Sequence, residues 1–360
     1  MTLVVATACA TAGTSSPAAT APTPQGAAGE VAPQAPTWRV RTMEHVDLWL
    51  HGFAMLTSDT GHVPFFVRDY KRDMTARKRQ QNVHSQLDAN QQQLSSRFAA
   101  NPSLTNAQFL AMYFSSLDEI VNATDLFFRA EGNPRAASDP RQQQQIAMLA
   151  ANFPSGADRN WLRLFVSSIR DESSRFFHAY WVGEQATRGA AFAAVNELWA
   201  QSYPKLSRFL NNTQQPRGEV LLSLPIGGEG RTINDGKQAN IVAVAFPKTI
   251  ETAPEALFVF AHEVVGRLAQ EAITDNVTPA EQRSGAANEY IGNGAVRGGA
   301  LLLQRILPDL APDYMRFYLR TMGRTPPAGD PSAAFAAAFP LPATIVNAMN
   351  TQIGIVLGGI

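Results

Sequence analysis

The stretch Phe260–Ala272, FAHEVVGRLAQEA, sets His262 and Glu263 in the middle of an apolar run. Leu257, Phe258, Val259, Phe260, Ala261, Val264, Val265, Leu268 and Ala272 leave almost no polar face around it. A helix apolar on every side is one the core encloses. Upstream, Thr252 and Glu255 have the T-x-x-E spacing of a capping box and Pro254 falls in the first turn, which marks the start of the helix. A carboxylate buried there without a partner is costly or is forced neutral, so the His-Glu pair needs something to satisfy it. Gly266, four residues after His262, costs about 1 kcal/mol relative to alanine inside a helix. Three causes fit it: a close neighbouring backbone, room for an entering side chain, or a site no longer under demand.

Outward from this helix the texture changes in both directions. Before it, PRGEVLLSLPIGGEGRTI and ANIVAVAFP are short β-branched runs bounded by Gly and Pro, the pattern of strands and a hairpin, with PIGGEGRTINDG read as the hairpin turn rather than a phosphate-cradling loop. After it, SGAANEYIGNGAVRGGALLLQRIL and APDYMRFYLRTM continue as helices, and the small residues of GNGAVRGGA at helical spacing imply close helix packing. From Trp38 to about residue 215 the chain reads as a helical array broken at EGNPRAASDP and NFPSGADRN. The expected class is mainly α with a small β-sheet, α+β, divided into a helical part over 38–215 and a sheet-plus-helix part over 216–360.

Downstream of HEVVG, the residues SGAANEYIGNGA contain Asn288 and Glu289, with Glu289 23 positions after Gly266. The two motifs together resemble the thermolysin-like gluzincin metallopeptidases, over roughly Gly218 to Gln304. The resemblance implies a gluzincin-like architecture and a zinc cofactor held by His262 and Glu289. It also implies Glu263 as general base for a zinc-activated water, and an edge strand within 218–246 that pairs with an extended peptide. Tyr290, Arg297 and Tyr314 become candidates for stabilising an oxyanion, and Asn288 and Asn293 for the shell around the ligands. Two departures stand out: Gly266 replaces the second histidine of H-E-x-x-H, and Asn293 replaces the Asp that orients the first. A replacement ligand would come from His45, His51, His62, His84 or His178. Three readings follow: a zinc metallopeptidase, an inactive descendant that binds peptide or protein in the old cleft, and a structural helical protein whose polar pairs hydrogen-bond one another.

The 360 residues are 45% hydrophobic and 17% charged, enough for one large core or two modest ones. Thirty basic residues balance thirty acidic ones, so no global field draws nucleic acid, and any charged partner meets a local patch. The basic run RDYKRDMTARKRQ reads as a solvated helix face. Cys9 is the one cysteine, which excludes an internal disulfide. It follows a short apolar segment over 1–8 and precedes an Ala/Thr/Pro-rich stretch over 9–37 too poor in large apolar groups to fold. That arrangement resembles a bacterial lipoprotein signal, although Ala6 stands where Leu is usual and no basic segment comes first. It implies a lipid on Cys9, membrane attachment and an outer-membrane location facing the periplasm or the exterior, with secretion as the alternative. LPATIVNAMNTQIGIVLGGI, interrupted by Asn347, Asn350 and Gln352, reads as a packing helix rather than a bilayer span.

Overall fold

The computed structural model describes residues 38–57, 63–235 and 239–358. Cys9 and His62 lie outside them, as do the expected signal-like and tether segments. The chain is mainly helical around one four-stranded sheet, which agrees with the α+β expectation. Strands β1 (Trp38–Arg41), β2 (Gly218–Ser223), β3 (Arg231–Asp235) and β4 (Ala239–Ala245) lie in the order β1-β2-β4-β3. The first three are parallel, and β3 runs antiparallel to β4 at the edge. The register sets Val40 beside Val220, Val220 beside Val242, and Ile233 beside Ile241.

Alternation along the strands divides the interior into two cores. Val220, Leu222, Val242 and Val244 join one core, which holds helices Gly189–Asn212, Pro254–Asn276, Ala286–Ile306 and Ala343–Val356. Leu221 and Ala243 point the other way, into a core built from Glu44–Leu56, Gly156–Glu172 and their neighbours. With both faces covered, β2 and β4 are continuous apolar runs, as parallel strands enclosed by helices must be. Residues 37–360 cluster as one compact unit, so the change of texture at 216 is a change of element type inside that unit. The carboxy-terminal helix buries Ile345, Met349 and Ile353. No single described helix is long and apolar enough to cross a membrane.

Three local expectations are corrected. Trp38–Arg41, read as part of the helical array, is a strand pairing in parallel with β2. The hairpin joins β3 to β4, and PIGGEG instead carries the chain from β2 to β3, which β4 separates. Its glycines allow close approach: Gly227 N donates to Phe65 O at 2.6 Å, and a Cβ there would lie 2.8 Å from Phe66 O. The capping box does not form either. Thr252 turns back to Thr249, with Oγ1 donating to its carbonyl at 3.0 Å, and Glu255 faces Arg320 at 3.5 Å.

The His-Glu helix, Pro254–Asn276, is enclosed as its composition requires, with Phe260, Ala261 and Val265 fully buried. Each such Leu, Val or Phe contributes about 1.5–3 kcal/mol by leaving water. The helix Ala286–Ile306 packs antiparallel to it through the small residues of GNGAVRGGA. A Cβ on Gly298 would lie 3.1 Å from Val265, and one on Gly294 2.6 Å from Ile273. On the next residue, Gly299, it would overlap the Tyr314 hydroxyl.

Candidate functional site

His262 and Glu263 satisfy each other. The imidazole Nδ1 lies 3.0 Å from Glu263 Oε1, and Thr232 Oγ1 on β3 donates to Oε2 at 3.2 Å. Buried on the helix, the His262 ring stacks on Tyr318 at 5.6 Å between centroids. The Tyr318 hydroxyl donates to Gly228 O at 3.1 Å, and burial raises the Tyr318 phenol well above its usual pKa. Strand β3 is thereby tied to the His-Glu helix. Gly266 faces open space, with nothing within 4 Å of a Cβ placed on it, so neither a close backbone nor an entering side chain accounts for it.

Glu289 does not join this pair. Gly298 lies against Val265 and Gly294 against Ile273, so the position level with His262 is near Leu302. Glu289 sits in the exposed first turn, roughly 20 Å away along the axis at ~1.5 Å per residue. The cause is helix length: the His-Glu helix continues past Gly266 to Asn276 before the chain turns back. Asn288 is exposed beside Glu289, and Asn293 Nδ2 donates to Pro340 O at 3.0 Å. Tyr290 donates to Glu281 at 3.1 Å, Arg297 lies over the Phe335 ring at 5.8 Å, and Tyr314 donates to Val296 O at 2.8 Å.

The other histidines among the described residues are engaged elsewhere or exposed. His45 Nε2 lies 2.9 Å from Phe114 O, His178 Nδ1 lies 2.9 Å from Glu44, and His84 is exposed. Among the described residues, no three His, Cys, Asp or Glu side chains gather as a metal site. Glu289 stands several turns from His262, so the two do not meet as ligands of one zinc ion.

His51 belongs to a buried cluster that crosses three helices. Its Nδ1 lies 3.1 Å from the Tyr70 hydroxyl and its Nε2 lies 3.1 Å from Glu172 Oε1, while Lys78 Nζ reaches Glu172 Oε2 at 2.7 Å and Ser85 donates to the same oxygen. Burial alone would raise the Glu172 carboxyl, but His51 and Lys78 hold it down at about 2. Lys78, expected on a solvated face, is thus a buried ion-pair partner. Closer to the sheet, burial pushes Asp47 up to about 7, against hydrogen bonds from Ser223 Oγ at 2.5 Å, Leu224 N at 3.3 Å and Trp181 Nε1 at 3.0 Å.

The surface feature next to the His-Glu pair is the outer edge of β3. Among the described residues only β4 pairs with β3, and a groove of about 480 Å³ has Arg231, Thr232 and Ile233 of that strand in its wall. The amide side chains of Asn106, Gln144 and Asn152 line it, with Phe109 and Tyr113 beside them. Arg231 lies 4.1 Å over the Phe109 ring, and Tyr113 is 53% exposed. Sequence reasoning gave no signal for these side chains, which lie on separate segments and meet only through the tertiary fold. Comparison with protein-family models, curated proteins and solved structures finds no match to this chain.

Proposed function

We propose that this protein is a peptide-binding protein that takes an extended peptide as an added strand on the free edge of β3. The observation that carries the reading is the groove beside that edge, where Asn106, Gln144 and Asn152 stand opposite the strand. An edge strand presents unpaired N–H and C=O groups, and main-chain pairing with an incoming segment supplies affinity that does not depend on its sequence. Carboxamides both donate and accept, so they can hold the far side of a peptide backbone. Phe109 and Tyr113 add apolar surface for alternate side chains. Behind the strand, the Thr232–Glu263–His262 bonds fix β3 to a buried helix, so the edge is presented on a rigid element. In this reading Glu263 positions the strand and takes no part in bond chemistry. The resemblance of the amino terminus to a lipoprotein signal supports peptide capture at the bacterial envelope, attached through a lipid on Cys9.

The test is fluorescence anisotropy with a dye-labelled decapeptide of alternating threonine and valine. The expected result is saturable binding that weakens at least tenfold, an order-of-magnitude figure for lost buried hydrogen bonds, in the Asn106→Ala, Gln144→Ala double variant. It should weaken similarly when alternate peptide nitrogens are methylated. Equal binding of the methylated and unmethylated peptides would refute main-chain pairing.

A further inference from the structure

We infer a second, separate site: a crevice outside the carboxyl ends of β2 and β4 that binds a multiply charged oxyanion, a phosphate-bearing molecule, independently of the peptide groove. Its volume is about 630 Å³, within the range of small-molecule sites. Five cations from five parts of the chain line it: Arg68, Arg77, Arg188, Lys248 and Arg320. Three carboxylates, Asp73, Glu184 and Glu255, share the walls, which leaves a cationic surplus in a chain whose overall charge is balanced. A net positive surplus beside apolar walls favours a counter-charge in the crevice.

The arginines are held in place before any ligand arrives. Glu184 receives both Arg77, at 3.3 Å, and Arg188, at 2.9 Å, so one carboxylate serves two guanidinium groups. Arg188 also donates to Phe246 O and is almost wholly buried. Arg68 donates to Thr321 O at 2.7 Å, which anchors it to the residue that follows Arg320, whose contact with Glu255 is long at 3.5 Å. Planar guanidinium forks positioned from several directions suit the geometry of phosphate oxygens. Tyr180, Phe246 and Phe317 give the crevice an apolar wall for the body of such a ligand. The position also agrees with a general property of sheets with parallel strands, in which the space beyond the strand carboxyl ends is where loops can converge on a ligand. Arg68 further opens onto an adjoining cleft of about 580 Å³ lined by Lys71, Arg72 and Asp69, where Arg72 pairs with Asp69 at 3.0 Å.

Calorimetric titration of the full chain with inorganic pyrophosphate at low salt tests the site. One saturable site is expected, weakening as sodium chloride is added. Arg68, Lys248 and Arg320 are exposed, so the triple variant Arg68→Gln, Lys248→Gln, Arg320→Gln is compatible with folding and should lower the affinity at least tenfold. Glu255→Gln, which removes a competing carboxylate, should raise it. Absence of saturable binding at millimolar pyrophosphate overturns the inference, as does binding that both variants leave unchanged. Competition by phosphatidylglycerol vesicles, but not phosphatidylcholine vesicles, would identify a lipid headgroup as the source of the phosphate. A bound pyrophosphate that such vesicles do not displace would identify a soluble one. The Asn106→Ala, Gln144→Ala variant should bind pyrophosphate normally, which separates this site's failure from that of the peptide groove.

Discussion

In the helical layer on one side of the sheet, Glu172 receives His51, Lys78 and Ser85 and has no exposed surface. In the layer on the other side, Glu263 receives His262 and Thr232 and lies behind the edge strand. The first cluster joins three helices whose contributions are far apart in sequence, and each member has a charged or hydrogen-bonding partner. The second joins two neighbours on one helix to a single hydroxyl. Both look like candidate chemistry when read as residue types, yet the closed cluster has the character of a structural staple. The sparse pair sits beside an open edge, where a partner can still be added. Burial with complete satisfaction marks architecture, and function is better sought where satisfaction stops.

The strongest way to break this comparison is to remove one partner from each cluster. Lys78→Met leaves the Glu172 carboxylate buried without its cation and should cost about 3–5 kcal/mol in urea unfolding. Thr232→Val removes one hydroxyl hydrogen bond to Glu263 at the other pair and should cost about 1–2 kcal/mol. Similar losses at the two sites would erase the distinction.

Titration sharpens it next. Glu172 is held at about 2 in the folded chain against an ordinary 4.5, so its contribution is present above pH 4.5 and is lost as pH falls towards 2. Asp47 has the opposite sign: its carboxyl stands at about 7 against an ordinary 3.8. Its favourable contribution is full below pH 3.8 and is lost as pH rises through 7. Stability should therefore be greatest on the acidic side of neutrality. Asp47→Asn should flatten the decline between pH 4 and 7, a difference on the order of 2–4 kcal/mol across that range, read from urea midpoints at each pH.

Two glycines compare the packed and the unpacked faces of the helix pair. Gly299→Ala drives a methyl into the Tyr314 hydroxyl and should destabilise by about 1–3 kcal/mol, with a lower thermal midpoint. Gly266→Ala meets nothing and should stabilise by about 0.5–1 kcal/mol through helix propensity. Destabilisation by Gly266→Ala would mean that the open face at this position is used.

What the sequence made legible was local. Apolar periodicity located the two long helices, and β-branched runs located β2 and β4, because these signals lie within one segment. The enclosure of His262 and Glu263 followed from the residues around them. Non-local pairing was hidden: Trp38–Arg41 pairs with Gly218–Leu221, the Arg41–Glu219 contact spans 178 positions, and nothing in four residues announces such a partner. Lys78 read as a solvent-facing cation because Glu172, its fully buried counterion, is 94 positions distant. Glu289 stood at a plausible spacing from Gly266, but spacing counts residues and not turns. The extra length of the first helix carried it away from His262. The amides beside β3 were invisible for the same reason as β1, since their grouping exists only in three dimensions.

The most direct test of peptide capture is amide hydrogen exchange on the full chain with and without the threonine-valine decapeptide. Slower exchange confined to Arg231–Asp235 and the flanks of its groove is the expected result. Unchanged exchange along that strand at saturating peptide, with protection appearing on another surface, would contradict it.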